Sequence, residues 1–374
     1  MHELMTMQYI DINLATALQV VLLGFIGGVL SGFIGSGGAF FMTPGMMNLG
    51  VNGVMAVASN ITHKFGKALV GSKKHAAAGN VDKKLAAYML ATAIIGIQIA
   101  VAINSFLFKS GGGHGAGDSP GANLYISLVF AFILSAVAIS MLRDTIKSRG
   151  ADGEDSGPSM KIAEALARLK LPPVITFGVA DTKVSLWVLM AVGIATGYLA
   201  GTIGVGGFIG VPAMIYVFGV PTAVATGTEL FLAVFMGAFG LLSYAYQGFV
   251  DLRLTMLLYV GSLVGIHLGV YGVKVVKEKY IRMATSLIIL LCVFSRIIAI
   301  PVYLRQLGLV SYPAGLDVYL KGGSKFFLFA SGISGVLFIL AQVVKAYRQR
   351  RKIQKTLLVV RAPEWEAAQS VKAA

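Results

Sequence analysis

Three charged side chains lie inside stretches of the sequence that are otherwise strongly apolar. Lys64 and Lys67 share one segment with Asn60, and Glu229 is the sole charged residue between positions 222 and 246. Spacings of four and three residues place Asn60, Lys64 and Lys67 on one face of a helix. A charge among apolar residues is costly unless it faces a cavity, a partner or a ligand. The two lysines therefore indicate a binding site for an anion. Glu229 is predicted either to carry a proton or to form an ion pair with Lys64.

Each of these residues also has a purely structural interpretation. The lysine stems are long enough to carry both ammonium groups to a nearby cytoplasmic surface. Glu229 could be half of a satisfied ion pair with no part in the chemistry. Arg296 lies near the outer end of its apolar span, and its side chain is expected to reach water in the same way as the lysines. The sequence leaves these alternatives open.

Two glycine-rich turns form the second candidate site. They read Gly35-Ser36-Gly37-Gly38 and Gly204-Val205-Gly206-Gly207. Backbone that is not helical is tolerated in hydrocarbon only where it is buried in protein or lines a cavity. Glycine exposes backbone N–H groups, and helix N-termini attract anions. We expect the two turns to meet near the membrane midplane and to bind a small anion. The alternative is that the glycines only let helices pack closely.

These turns belong to an internal duplication with an offset of 169 residues, as from Gly32 to Gly201. Between residues 24 and 101, 20 of 78 positions are identical at this offset, and ten of these are glycine. Composition alone gives about a tenth or less. Repeated membrane segments that are interrupted by glycine are typical of transporters.

The composition excludes a soluble domain. The chain has 374 residues, of which 56% are hydrophobic and 13% charged, whereas roughly a quarter of the residues of a soluble protein are charged. Cys292 is the one cysteine, so no disulfide or thiolate metal cage can form within the chain. No nucleotide-binding Gly-x-x-x-x-Gly-Lys-Ser/Thr pattern is present, and Ser36 with His63 does not match an intramembrane protease. We therefore expect no enzyme, no cofactor and no metal.

The hydropathy pattern predicts five segments in each half and one further span. We expect a first transmembrane repeat at 1–142, a polar connector at 143–185 and a second repeat at 186–300. A further span at 301–346 and a basic tail at 347–374 complete the chain. The predicted segments are 14–35, 40–49, 53–72, 85–108, 124–142, 186–205, 211–219, 222–246, 252–275, 281–300 and 326–345.

The distribution of basic residues predicts the orientation. Residues 73–84, 143–183, 274–282 and 345–361 hold 22 Lys and Arg, and the opposite loops at 1–13, 109–123, 247–253 and 301–325 hold 5. The positive-inside rule places the first group in the cytoplasm, with the N-terminus outside and no removable signal peptide. Residues 14–49 and 186–219 must then be re-entrant hairpins. Each repeat crosses three times, so the halves are inverted relative to each other.

The doubled pattern resembles the sulfite exporter TauE/SafE family of small-anion permeases. It reads Gly-x-x-Ser-Gly-x-x-Gly-x-Gly-Gly, then Pro and Gly-Val-x-x-x-x-Ala, over 28–56 and again, less completely, over 197–225. The resemblance implies an inverted-repeat fold that moves sulfite, sulfonates or thiosulfate. It also implies that Ser59, Asn60 and Thr228 lie close to the glycine turns. The connector, the paired lysines and the extra span depart from the shorter common pattern.

The sequence therefore predicts an all-α integral membrane protein of the multi-pass, inner-membrane type, with one extra C-terminal transmembrane helix. Its expected partners are a small anionic substrate, the lipid bilayer and possible further copies of the chain, with no nucleic acid. We predict a proton-coupled permease for a small sulfur-containing oxyanion. A passive anion channel and a transporter of another small anion are the alternatives. The predicted substrate-binding residues are Gly35, Ser36, Gly37, Gly38, Ser59, Asn60, Lys64, Lys67, Gly204, Gly206, Gly207 and Thr228, and Glu229 is the predicted proton-coupling residue.

Overall fold

The computed structural model describes residues 9–34, 38–111, 119–147, 171–204, 206–276 and 278–372. This described part is almost entirely helical, with one short β-hairpin. Its elements are α1 (Leu14–Ile34), α2 (Ala39–Asn48), α3 (Gly53–Ala77), α4 (Lys83–Ser110), α5 (Pro120–Lys147), β1 (Val174–Phe177), β2 (Thr182–Ser185), α6 (Leu186–Ile203), α7 (Gly207–Tyr216), α8 (Thr222–Tyr246), α9 (Leu252–Val275), α10 (Glu278–Gln306) and α11 (Leu316–Lys372).

Eight of the described helices are long and apolar enough to cross a membrane. They are α1, α4, α5, α6, α8, α9, α10 and α11. This confirms the predicted class of an all-α integral membrane protein. Helix α3 is not among the eight because its lysines lower its hydropathy, and its first eleven residues are all buried inside the protein.

The duplication seen in the sequence recurs in the backbone. Gly50 and Gly219 both have positive φ angles, of 92° and 74°, and Gly79 and Gly248 have 72° and 79°. Each pair is separated by the same 169 residues, and each glycine ends a helix in the left-handed region that favours this residue. Helices α3 and α8 also begin at equivalent positions. The two halves therefore share their turn geometry as well as their residues.

Two pairs of helices, each with its two members parallel, pack closely at glycine residues. In the first pair, a Cβ added to Gly28 of α1 would lie 2.5 Å from the carbonyl oxygen of Ser262 in α9. In the second, a Cβ added to Gly197 of α6 would lie 2.0 Å from the carbonyl oxygen of Ala93 in α4. Such backbone contact is available only to glycine. Close packing is thus the role of the glycines that lead up to each turn, namely Gly24, Gly28, Gly32, Gly193, Gly197 and Gly201.

Each short helix folds back along the long helix before it. An added Cβ at Gly38 would meet the backbone of Gly27, and one at Gly45 would meet Leu23, so α2 runs antiparallel to α1. Helix α7 returns along α6 in the same way. The prolines Pro44 and Pro212 lie inside the short helices, and α7 begins four residues before its predicted start. The inversion of the two halves in the membrane stays a prediction.

The C-terminal part differs from the predicted span and tail. A single helix, α11, runs from Leu316 to Lys372, whereas the hydropathy pattern predicts a span at 326–345. The helix continues beyond both ends of the apolar run, so hydropathy marks only the segment's centre. The connector also contains an unpredicted β-hairpin, whose turn donates the backbone N–H groups of Val179 and Ala180 to the carboxylate of Asp82 at 3.2 and 3.0 Å.

Candidate functional site

The centre of the molecule contains a buried pair of opposite charges. The Nζ of Lys64 lies 3.7 Å from Oε1 of Glu229, and the two side chains are 17% and 3% exposed. Helices α3 and α8 pack against each other along the molecular core and carry one charge each. The structure therefore joins the cation of the first repeat to the acid of the second, which is one of the arrangements that the sequence left open.

Glu229 packs against the beginning of α7. A Cβ added to Gly207 would lie 3.0 Å from Oε1 of Glu229, and one added to Gly210 would lie 2.3 Å from Oε2. Neither carboxylate oxygen has a hydrogen-bond partner among the described residues. The first N–H groups of a helix lack partners within it and carry partial positive charge. Glycine thus gives the Glu229 carboxylate close access to the start of α7.

Asn60 connects the two hairpins. Its Nδ2 donates to the carbonyl oxygen of Ala39 at 3.0 Å and to Oγ1 of Thr43 at 2.8 Å. Thr43 in turn donates to the carbonyl oxygen of Ile203 at the end of α6, at 3.1 Å. Gly204 follows in the left-handed region with φ of 77°, beside Asn60 and Thr43. The start of α2 and the second glycine turn are therefore in contact.

Asn60 and Glu229 occupy equivalent positions in the two repeats. Each lies against the first turn of the short helix in its own half, since Asn60 contacts α2 and Glu229 contacts α7. Lys64 has Ala233 as its equivalent in the second repeat. The two repeats thus give the site one neutral amide, one acid and one cation instead of matched charges.

A small void adjoins Lys64. Its volume is about 20 Å³, which holds on the order of one water molecule. Apart from Lys64, its lining is apolar or glycine and includes Gly201, Gly204 and Met236. This void is too small to hold an anion the size of sulfite.

Other predicted site residues lie away from the Lys64–Glu229 pair or are not among the described residues. The ammonium group of Lys67 donates to Oγ of Ser31 on α1 at 3.4 Å. Thr228 accepts the backbone N–H of Asp82 at 3.0 Å, so it faces the loop between α3 and α4. Ser59 is buried, and its hydroxyl group has no hydrogen-bond partner among the described residues. Gly38 packs on α1, and Gly35, Ser36 and Gly37 lie outside the described residues.

Two polar groups at the centre are not among the predicted site residues, although His63 shares the predicted helix face of Asn60 and Lys67. Thr43 is fully buried and links Asn60 to α6. His63 is 1% exposed, and its Nε2 lies 2.7 Å from Oγ of Ser262. The signal for both was a polar residue within an apolar segment. Among the described residues, no group of three or more His, Cys, Asp or Glu could hold a metal ion.

The burial of Arg296 differs from what its position in the sequence predicts. Its place near the end of an apolar span predicts that the side chain reaches out to water, yet the residue is 0% exposed. Its Nη2 donates to Oγ of Ser324 at 2.8 Å and to Oδ1 of Asn48. Helix α11 covers α10 at this point, and the sequence did not show that packing.

These features define a class: a helical membrane protein with two internal hairpins that meet at a buried, charged centre. The chain matches the family model described as Sulfite exporter TauE/SafE over residues 20–296, and it belongs to this family of membrane transporters. The protein described as Probable membrane transporter protein YjnA of Bacillus subtilis (strain 168) is 26% identical over 255 residues. That alignment covers 68% of this chain and 89% of the relative. No solved structure gives a significant match.

Proposed function

We propose that this membrane transporter is a secondary permease for a small sulfur-containing oxyanion, such as sulfite or an organosulfonate, and that the proton gradient drives it. The family name and the doubled glycine pattern support the substrate class. The buried contact of Lys64 with Glu229 at the start of α7 carries the proposal, because it places a cation, a proton acceptor and an anion-attracting helix terminus at one point.

In this mechanism the Glu229 carboxylate occupies the place of the transported anion. Ionised Glu229 lies beside the ammonium of Lys64 and the N-terminal turn of α7. Uptake of a proton removes its charge and weakens both attractions. An oxyanion then takes over the contacts with Lys64 and α7. Release of the proton restores the carboxylate, which displaces the anion, so anion movement and proton movement are linked.

The orientation predicted from charge forms part of the proposal. The hydroxyl group of Tyr9 donates to the carbonyl oxygen of Gly248 at 2.7 Å, which joins two loops that are predicted to lie outside. The Nζ of Lys84 donates to the carbonyl oxygen of Thr176 at 3.0 Å, which joins two loops that are predicted to lie in the cytoplasm. Each contact joins loops that the charge pattern assigns to one face, so both support the grouping of the loops, and the assignment of the N-terminus to the outside rests on the charge pattern.

The test is sulfite uptake into proteoliposomes with and without an imposed pH gradient. We expect uptake that saturates and accumulates sulfite against its concentration gradient. Lys64→Gln should lower uptake by at least tenfold, and Lys73→Gln, an exposed lysine on the same helix, should leave it unchanged. Flux that never exceeds equilibrium would identify a passive channel, and uptake by Lys64→Gln at the normal rate would remove Lys64 from the site.

A further inference from the structure

A larger cavity with a more polar lining lies at the end of the molecule where α3 begins. Its volume is about 170 Å³. The polar side chains that line it are Asn48, Asn123, Tyr303, Gln306, Lys321 and Ser324, and no carboxylate belongs to its lining. The loop between α2 and α3 forms one wall, and α10 and α11 form the other. Lys64 lies eleven residues along α3 from Gly53, or about 16 Å, so this cavity is separate from the central pair.

The buried cation Arg296 lies behind the wall of this cavity. Its guanidinium donates to Asn48 and Ser324, both of which line the cavity. Its other described contacts are a hydrogen bond with Tyr303 and a long contact, 3.8 Å, from Nη1 to Sδ of Met47, and its Nε has no partner among the described residues. No carboxylate of the described residues forms an ion pair with it. A buried charge without a counter-charge costs several kcal/mol.

A second cation, Lys321, lies on the rim of the same cavity. The nearest acid along α11, Asp317, is already bound to Arg305, whose Nε donates to Oδ1 at 2.9 Å. Tyr303 and the amide groups of Asn123 and Gln306 add possible hydrogen-bond donors. The cavity thus has one positive charge on its rim, a second behind its wall and several neutral donors, with no acid among its lining residues.

We propose that this cavity is an anion-binding site for a small oxyanion with several acceptor oxygens. The anion supplies the negative charge that Arg296 lacks, and it accepts hydrogen bonds from the neutral donors around it. Six of the eleven lining residues lie beyond position 296, where the family match ends, so the site is built in part by segments of this chain outside the matched region. The proposal does not depend on the transport mechanism at Lys64 and Glu229.

A cysteine placed in the cavity can test the site. Cys292 is buried, so Cys292→Ser gives a background without a thiol, and Gln306→Cys then places one thiol on the wall. The full chain is reconstituted in phosphatidylcholine vesicles and labelled with an anionic or a cationic methanethiosulfonate of similar size. We expect the anionic reagent to react faster and sulfate to slow it, while chloride at equal ionic strength does not.

Lys321→Met should reduce the preference for the anionic reagent on the order of threefold, which is the effect of one charge at several ångströms near a surface. Because Lys321 is exposed and Arg296 is buried, Lys321→Met should fold even if an Arg296 variant does not. Ser311→Cys, on an exposed loop, should show neither the preference nor the protection. Sulfate protection of Gln306→Cys should persist with Lys64→Gln, which separates this site from the centre.

Three results would overturn the assignment. They are equal labelling by both reagents, no protection by sulfate, or a preference for the anionic reagent that survives Lys321→Met unchanged. Protection that requires phosphatidylglycerol in the vesicles and is not produced by sulfate would assign the cavity to a lipid phosphate instead.

Discussion

Glu229 is the residue that the proposed mechanism depends on most. Its carboxylate lies beside a cation and a helix N-terminus, which are the features that would attract a transported anion. In the equivalent position, Asn60 is neutral and forms hydrogen bonds to Ala39 and Thr43 instead. Of these two equivalent residues, only Glu229 has a carboxyl group that can exchange a proton.

Glu229→Gln should uncouple transport from the proton gradient. The amide has a similar shape but carries no charge that can change, so exchange of anion for anion should continue while accumulation on a pH gradient is lost. Counterflow and gradient-driven uptake, measured on the same vesicles, check this. A Glu229→Gln protein that still accumulates substrate on a pH gradient would exclude the coupling role.

Gly207→Ala should also impair the site. Its new Cβ would lie 3.0 Å from Oε1 of Glu229 and 3.3 Å from Nζ of Lys64, so it must push one of them away. We expect uptake to fall at least tenfold while membrane insertion and thermal stability stay close to those of the parent. Gly121→Ala is the control, because its Cβ would meet nothing within 4 Å. Normal uptake by Gly207→Ala would show that the start of α7 is not part of the site.

At the scale of elements, the glycines of α1, α4, α6 and α9 make the framework possible. Helices α1 and α9 are parallel neighbours, and so are their equivalents α6 and α4. Backbone contact in both pairs places the short helices α2 and α7 against the centre. The same residue type therefore has two roles: close packing along the long helices and access for charged groups at the second turn.

Gly197→Ala should destabilise the protein, although alanine favours a helix by about 1 kcal/mol over glycine. The added Cβ would lie 2.0 Å from a backbone carbonyl oxygen, and a backbone cannot move aside as a side chain can. We expect a net loss of roughly 1–3 kcal/mol. Thermal unfolding in detergent measures this loss, and Gly121→Ala, with open space around its Cβ, should be neutral or slightly stabilising. Equal stability of Gly197→Ala and the parent would contradict the close contact.

At the scale of the whole molecule, contacts between elements occur in equivalent pairs. Helix α1 packs on α9 as α6 packs on α4, while α3 packs on its own equivalent α8. Such pairing is expected when two homologous halves are related by a two-fold axis, and it supports the proposed inverted repeat.

Reporter fusions should find residue 115 outside and residue 374 in the cytoplasm. The expectation follows from the excess of Lys and Arg in one set of loops, and it requires the hairpins to enter and leave on one side. A periplasm-active and a cytoplasm-active reporter at each site provide the check. The same face for both residues would show that a hairpin assignment is wrong.

The sequence by itself determined the membrane class, the duplication and most helix boundaries; α8 and α9 begin and end where they were predicted. These features depend on local apolar runs and turn residues, and a short segment of sequence contains all the residues that specify them. The sequence also identified Lys64 and Glu229 as costly charges, because each lies in an apolar run.

Only the tertiary structure decided which of these residues meet. Lys64 and Glu229 are 165 positions apart, and their contact depends on how α3 packs on α8. The same kind of packing turned Thr228 toward Asp82, bound Lys67 to Ser31, and buried Arg296 under α11. The periodicity of a segment determines which residues share a helix face. Which other helix packs against that face depends on how whole helices fit together, and the sequence of a single segment does not contain this information.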